Sequence, residues 1–184
     1  MKNIILIGFM GVGKTSVANA LSKGGVRTKE KAASKDGTFR VIDTDAEIVQ
    51  REKMTISEIF QKKGEAYFRE LESGLLREYA AQQNLVISCG GGMALREENR
   101  KLMRECGNVV LLTAKPETIL SRVGDAKGRP LLYGRTNRDS VAVLMEERRP
   151  AYFDAAQYIV STDEKTPEMI AKEIMDIIKT PVLQ

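Results

Sequence analysis

The sequence predicts an α/β protein, a central parallel sheet between two layers of helices. Two observations carry this expectation. Short apolar runs rich in β-branched residues alternate with longer stretches of helical periodicity. A glycine-rich turn ending in Lys-Thr follows directly on the first of those runs.

The apolar runs are Ile4–Ile7, Phe39–Ile42, Leu85–Ser88, Val109–Leu112 and Tyr158–Val160. Their length and composition suit strands buried on both faces. Thr55-Ile-Ser-Glu58 reads as a capping box that opens a helix. In Glu65–Gln82 the residues Phe68, Leu71, Leu75 and Tyr79 step by three or four, so one helical face is apolar. From Pro167 to Lys179, the residues Ile170, Ile174, Ile177 and Ile178 gather on one side. Strands that alternate with helices run parallel. No internal repeat and no linker rich in Pro or Gly divides the chain, so one domain over 1–184 is expected. Two polar segments read as loops. Gly24–Thr38 is basic-leaning, and Gly124–Gly134 carries glycine at both ends and in the middle, which suits a segment that opens and closes.

Composition narrows the chemistry. The hydrophobic share of 42% and charged share of 29% are ordinary for a soluble chain. A net charge of +4 suits an anionic small molecule and is too small and scattered to indicate nucleic acid. No apolar run approaches a membrane span, and MKNIILIG is too short for an export signal, so a cytoplasmic protein without membrane attachment is expected. Cys89 and Cys106 have no metal-type spacing. The absence of histidine excludes histidine-based acid–base, triad or metal chemistry.

Gly8-Phe-Met-Gly-Val-Gly13-Lys14-Thr15 matches G-x-x-x-x-G-K-[ST]. Its glycines let backbone N–H groups from Gly11, Val12 and Gly13 through Ser16 converge on phosphate oxygens. Lys14 would reach the β- and γ-phosphates, Thr15 would ligate Mg²⁺, and a helix starting at Lys14 would point its positive end at the same anion. The pattern indicates a nucleoside triphosphate and leaves the reaction open. Asp125–Gly128 has the letters of a GTPase DxxG but ends no apolar run, and no NKxD follows. A small kinase is the reading that remains.

The acceptor must then come from elsewhere in the chain. Asp43-Thr44-Asp45 follows the second strand, where carboxylates face the ligand crevice of an open sheet. One can place Mg²⁺ through water, and the other can bind an acceptor hydroxyl and take its proton. A plain helix cap before Ala46 is the alternative. Arg69 and Glu72 share a helix face, either as a solvated ion pair or with Arg69 gripping a carboxylate. Gly90-Gly91-Gly92 would be costly in a simple turn and makes sense where something approaches the backbone closely. Arg148-Arg149 supply further guanidinium groups.

GFMGVGKT, DTD, IFxxxGExxFRxxE (Ile59 to Glu72), GGG, RPLL (Arg129 to Leu132) and RxPxY (Arg148 to Tyr152) stand in the order seen in shikimate kinases. The resemblance spans nearly the whole chain. It implies a nucleoside-monophosphate-kinase-like fold with a five-stranded parallel sheet. The implied reaction transfers the γ-phosphate of ATP to the 3-hydroxyl of shikimate, in aromatic amino-acid biosynthesis, with Mg²⁺ as cofactor. By the same resemblance Lys14 and Thr15 serve phosphate and Mg²⁺, Asp43 contacts Mg²⁺ through water, and Asp45 binds the shikimate hydroxyls as candidate base. Arg69 and Arg148 would hold the shikimate carboxylate, the Gly90–Gly92 run would offer the Gly91 N–H, and Phe60 and Phe68 would wall the pocket. The substrate region is thus about 43–72. Arg129 resembles a catalytic arginine on a lid at about 122–135, Arg122 the residue that stacks on adenine, and Pro167 its partner on the adenine side.

Two features depart from the family. Gly24–Thr38 lengthens the link before DTD, which reads as a tolerated surface insertion. Arg149 stands beside Arg148, and spacing alone does not separate them. A kinase for another small hydroxylated acceptor, such as gluconate or a nucleotide, and a nucleotide-dependent binding module are the competing functions. A monomer is expected.

Overall fold

The computed structural model describes residues 2–23, 39–123 and 137–179. Five strands are present among them: β1 (Asn3–Ile7), β2 (Arg40–Asp43), β3 (Leu85–Ser88), β4 (Gly107–Thr113) and β5 (Tyr158–Ser161). Seven α-helices accompany them: α1 (Lys14–Lys23), α2 (Thr44–Glu52), α3 (Ile56–Ala80), α4 (Glu97–Cys106), α5 (Pro116–Val123), α6 (Arg138–Ala155) and α7 (Pro167–Lys179). A 3₁₀ turn, Met93–Leu95, precedes α4. The segments 24–38 and 124–134, expected as loops, lie outside the described residues, as does most of the expected lid at 122–135.

The strands form one sheet in the order β2-β3-β1-β4-β5, every neighbouring pair parallel. β1 is the central strand, with Ile5 opposite Ile87 on one side and Val109 on the other. All of its residues are buried, as are all of β3. A strand whose alternate side chains are all buried has both faces covered, which explains the unbroken apolar runs. α1 packs against α7 and the β1–β3 part of the sheet, while α4 packs against α3, α6 and β4. Edge strands are drier on one side only: Arg40 of β2 is exposed, and so is Ile159 of β5. β4 starts earlier than its apolar letters because Gly107 still pairs with Asn3.

Two helix boundaries refine the sequence reading. α2 starts at Thr44, not Ala46, because Asp43 is its N-cap, with Oδ1 accepting from Ala46 N at 3.1 Å. Asp45 therefore sits in the first helical turn. The helix opened by Thr55 and the amphipathic stretch from Glu65 run together as α3, kinked where Gly64 takes φ 83°. No helix among the described residues is long and apolar enough to cross a membrane.

The capping box at Thr55 forms as read. Glu58 N donates to Thr55 Oγ1 at 3.2 Å, and Thr55 N donates to Glu58 Oε2 at 2.8 Å. Replacing Thr55 by Ala should lower stability by about 1 kcal/mol, seen as a lower urea midpoint at unchanged slope. Thr55→Ser should keep most of the native midpoint.

Candidate active site

β1 ends at the phosphate loop. Gly8, Gly11 and Gly13 take φ of 137°, 78° and 102°, so the chain can wrap its N–H groups around a small anion. Val12 N donates to Phe9 O at 3.3 Å and closes the turn. α1 begins at Lys14, so its positive end faces the same space. Lys14 Nζ donates to the carbonyls of Gly8 at 2.9 Å and Phe9 at 3.0 Å.

Three strand ends meet beside the loop. Thr15 Oγ1 donates to Asp43 Oδ2 at 2.6 Å, and Ser88 Oγ stands 3.5 Å from both. Asp43 thus caps α2 with one oxygen and meets Thr15 with the other. Two hydroxyls and a carboxylate are hard oxygen donors, the type that suits Mg²⁺ shared with phosphates.

On the opposite flank, Arg122 closes α5 and donates from Nη1 to Val12 O at 3.1 Å and Thr162 Oγ1 at 2.9 Å. Its Nη2 donates to Thr162 O at 3.0 Å. Pro167 opens α7 and lines the same cleft. Arg129 lies outside the described residues.

The other end of the cleft is charged and dry. Arg69 Nη1 donates to Glu72 Oε2 at 2.7 Å, and Arg69 Nη2 to Glu65 Oε1 at 2.7 Å. Arg69 and Glu72 are 9% and 1% exposed, so their pairing is not a solvated one. The Arg69 guanidinium lies 5.5 Å from the Phe68 ring centre and 6.0 Å from that of Phe60. Arg148 is buried, donates to Gly91 O at 3.4 Å and lies 5.6 Å from the Phe9 ring centre. Arg149 is exposed and pairs with Glu146 at 3.2 Å. The structure therefore brings Arg148 into the cleft and leaves Arg149 outside it.

The glycine run fits between these heads. A Cβ on Gly92 would stand 2.2 Å from Arg69 Nη1. One on Gly90 would stand 2.5 Å from both Asp45 Oδ1 and Glu72 Oε1. Close approach, rather than turn geometry, is why side chains are missing there.

The phosphate loop from Gly11 to Ser16, Asp43, Asp45, Phe60, Phe68, Arg69, Gly91, Gly92, Arg122, Arg148 and Pro167 all line one cleft of about 690 Å³. That is ample for a nucleotide and a small acceptor. Gly90 is not among its lining residues but packs against Asp45 and Glu72, which are. Met10, Ile56, Lys165 and Ile170 also line the cleft, and the sequence marks none of them for a role in a site. Glu72 lines it too, where the sequence marked it only as a partner for Arg69.

Burial pushes the Glu72 carboxyl up to about 7. Arg69 pulls against that rise, and the negative charge of Asp45 adds to it. Glu72 Oε1 accepts no hydrogen bond from the described residues. Arg69 keeps its proton: burial opposes the charge, but Glu72 and Glu65 hold its pKa above the ordinary value.

Residues 10–179 match the family model described as shikimate kinase. A shikimate kinase of Pelotomaculum thermopropionicum is 41% identical over 179 residues, covering 97% of this chain and 96% of the relative. Among solved structures, a shikimate kinase from Acinetobacter baumannii in complex with shikimate superposes with a TM-score of 0.87 at 31% identity, covering 100% of this chain and 96% of that one. A shikimate kinase from Aquifex aeolicus superposes with a TM-score of 0.77 at 38% identity, covering 96% and 95%.

The Glu72 site has a pH signature. Its folded pKa of about 7 lies above the ordinary 4.5, so the native state keeps a proton that the unfolded chain has lost. The stability this lends is full below pH 4.5 and is lost as pH rises through about 7. Relative to Glu72→Gln, the native chain should lose on the order of 3 kcal/mol across that window. Urea titrations at a series of pH values measure it, and a constant difference between the two chains would contradict it.

Proposed function

We propose how this cleft divides its work, from the premise that the chain belongs to the shikimate kinase family and has shikimate kinase activity, using ATP to phosphorylate shikimate. The triphosphate of ATP lies in the Gly8–Thr15 loop, under its N–H groups and the end of α1. Adenine lies between Arg122 and Pro167. Lys14 leaves the carbonyls it now bonds and takes the β- and γ-phosphates. Thr15 and, through water, Asp43 would hold Mg²⁺, which when bound offsets the charge of the phosphates.

Shikimate enters at the other end. Arg69 and Arg148 hold its carboxylate, Asp45 and the Gly91 N–H hold its hydroxyls, and Phe60 and Phe68 flank its ring. The carrying observation is that Arg69 and Arg148 both converge on the Gly91–Gly92 backbone, directly beside the phosphate loop. A Cβ on Gly91 would be 3.6 Å from Met10 N, so donor and acceptor sites adjoin. Two guanidiniums at one end match a carboxylate, and the Asp45 carboxylate beside the glycine run matches a hydroxyl.

In the transfer, Asp45 takes the proton of the 3-hydroxyl. The freed oxygen bonds to the γ-phosphorus while the bond from that phosphorus to the β,γ-bridging oxygen breaks, leaving ADP. Arg129, assigned on its RPLL motif, meets the charge spread over the γ-phosphoryl oxygens. The whole chain acts as one kinase domain, a cytoplasmic monomer whose cleft draws on a single copy.

Three measurements test this reading. ADP release with Mg·ATP should require shikimate, with little from gluconate or nucleoside monophosphates; an inert shikimate would overturn the acceptor assignment. Asp45→Asn should cut kcat by about 10²–10⁴-fold while nucleotide binding persists. Arg69→Ala should raise the KM for shikimate by about tenfold or more, and an unchanged KM would remove Arg69 from the acceptor site.

A further inference from the structure

Two motif letters have no chemistry of their own in this reading: the threonine inside Asp43-Thr44-Asp45 and the tyrosine that ends Arg148–Tyr152. Both side chains are buried, Thr44 at 0% and Tyr152 at 5% exposure. Both hydroxyls bond the backbone of the glycine run, from opposite sides.

Thr44 spans the entry to the run. Its Oγ1 donates to Ser88 O at 3.3 Å and accepts from Gly90 N at 2.8 Å. Tyr152 holds the far side, its hydroxyl donating to Gly91 O at 2.5 Å. Arg148, one turn earlier on α6, donates to the same oxygen at 3.4 Å. Between these two pins, Met93 N donates to Gly90 O at 3.1 Å.

Three successive peptide planes are thereby set. In a trans peptide the C=O and the following N–H point in opposite directions, so a held carbonyl aims the next N–H. The bond from Met93 to Gly90 O aims the Gly91 N–H. The bond from Tyr152 to Gly91 O aims the Gly92 N–H. The bond from Gly90 N to Thr44 fixes the plane before them. Glycines have the widest backbone freedom of any residue, so a run of them has no rigidity of its own. Here the rigidity comes from outside, and two of its sources are side-chain hydroxyls.

We infer that Thr44 and Tyr152 are positioning residues for shikimate, holding the Gly90–Gly92 backbone from both flanks so that it presents a fixed N–H beside Asp45 and Arg148. This rests on the acceptor-site reading above. Thr44 lies between Asp43 and Asp45 in the first turn of α2, so its bond also sets the distance from the glycine run to Asp45. Tyr152 shares its acceptor with Arg148, so its bond sets where the guanidinium meets the run. Burial raises the Tyr152 phenol above its ordinary pKa, which keeps it a donor at neutral pH.

The test compares Thr44→Val, Thr44→Ser and Tyr152→Phe in the full chain. Steady-state kinetics give the KM for shikimate, and calorimetry gives the Kd for ATP. Thr44→Val and Tyr152→Phe should each raise the shikimate KM by about tenfold, with the ATP Kd changed less than about twofold. Thr44→Ser, which keeps the hydroxyl, should return the shikimate KM to within about twofold of native. An unchanged shikimate KM in Tyr152→Phe, an equal loss of affinity for both substrates, or a failure of serine to restore would each overturn the inference. Tyr152→Phe keeps the ring and its packing, so it decides the matter should Thr44→Val not fold. A raised shikimate KM in Arg69→Ala without an effect in these variants would refute the pins and leave the acceptor site standing.

Discussion

Every strand of the sheet runs the same way, so every carboxyl end emerges on one edge. The rest of the molecule depends on that constraint. The ends of β1, β2 and β3 deliver the phosphate loop, Asp43 and Ser88-Cys89-Gly90 to one place. Burial of β1 and β3 on both faces fixes those ends as rigidly as the core itself. The bond from Thr15 to Asp43 then ties the start of α1, after β1, to the end of β2, two strands that β3 separates in the sheet. Helices that follow the strands start at this edge too, which is how α1 turns its positive end toward the space inside the glycine-rich loop and α2 carries Asp45 in its first turn.

The end of the cleft that holds Arg69 and Glu72 is built against the usual economy of a core. Burying Arg69 with Glu72 takes two charges out of water, and such a pair is seldom a net source of stability. Apolar residues of the same size would pack there more safely. What the pair supplies is a guanidinium held in one orientation in a space from which water is largely excluded, where its attraction for a carboxylate is strong. The rise in the Glu72 pKa is the visible sign of that expense. Glycines 90 and 92 serve the same end, since any side chain there would strike Asp45, Glu72 or Arg69. Local rules of sequence are broken where function needs them broken.

Much of this was legible in the residues, and the reasons differ by element. The inner strands β1, β3 and β4 showed because double-sided burial demands unbroken apolar letters. The capping box at Thr55 and the phosphate loop showed because their chemistry is local, closed within a few residues. The start of α2 was displaced by two residues because Asp43 and Asp45 are both good caps, and only the ladder with β3 settles which is used. The burial of Glu72 was not legible, because an acidic residue three positions from an arginine has the same pattern on a wet surface as in a dry cleft. Lys165 reaches the cleft through the turn between β5 and α7, which no periodicity describes.

The choice between Arg148 and Arg149 is the instructive case, because the information was present in the sequence. Val141, Leu144, Arg148, Tyr152 and Ala155 are the buried residues of α6, and their spacing is that of one helical stripe. Arg148 lies on that stripe and Arg149 lies off it. A cation in line with apolar residues must be buried with them, and a buried cation needs an anion or a ring of acceptors. Among the described residues Arg148 meets a carbonyl and the face of Phe9 at its tip, which satisfies it only in part and leaves the guanidinium suited to a carboxylate from outside. The same stripe carries Tyr152 one turn further on. Periodicity therefore places Arg148, the proposed carboxylate grip, and Tyr152, the proposed pin on the glycine run, on the same helical face, and a shift of one residue would turn both away from the cleft.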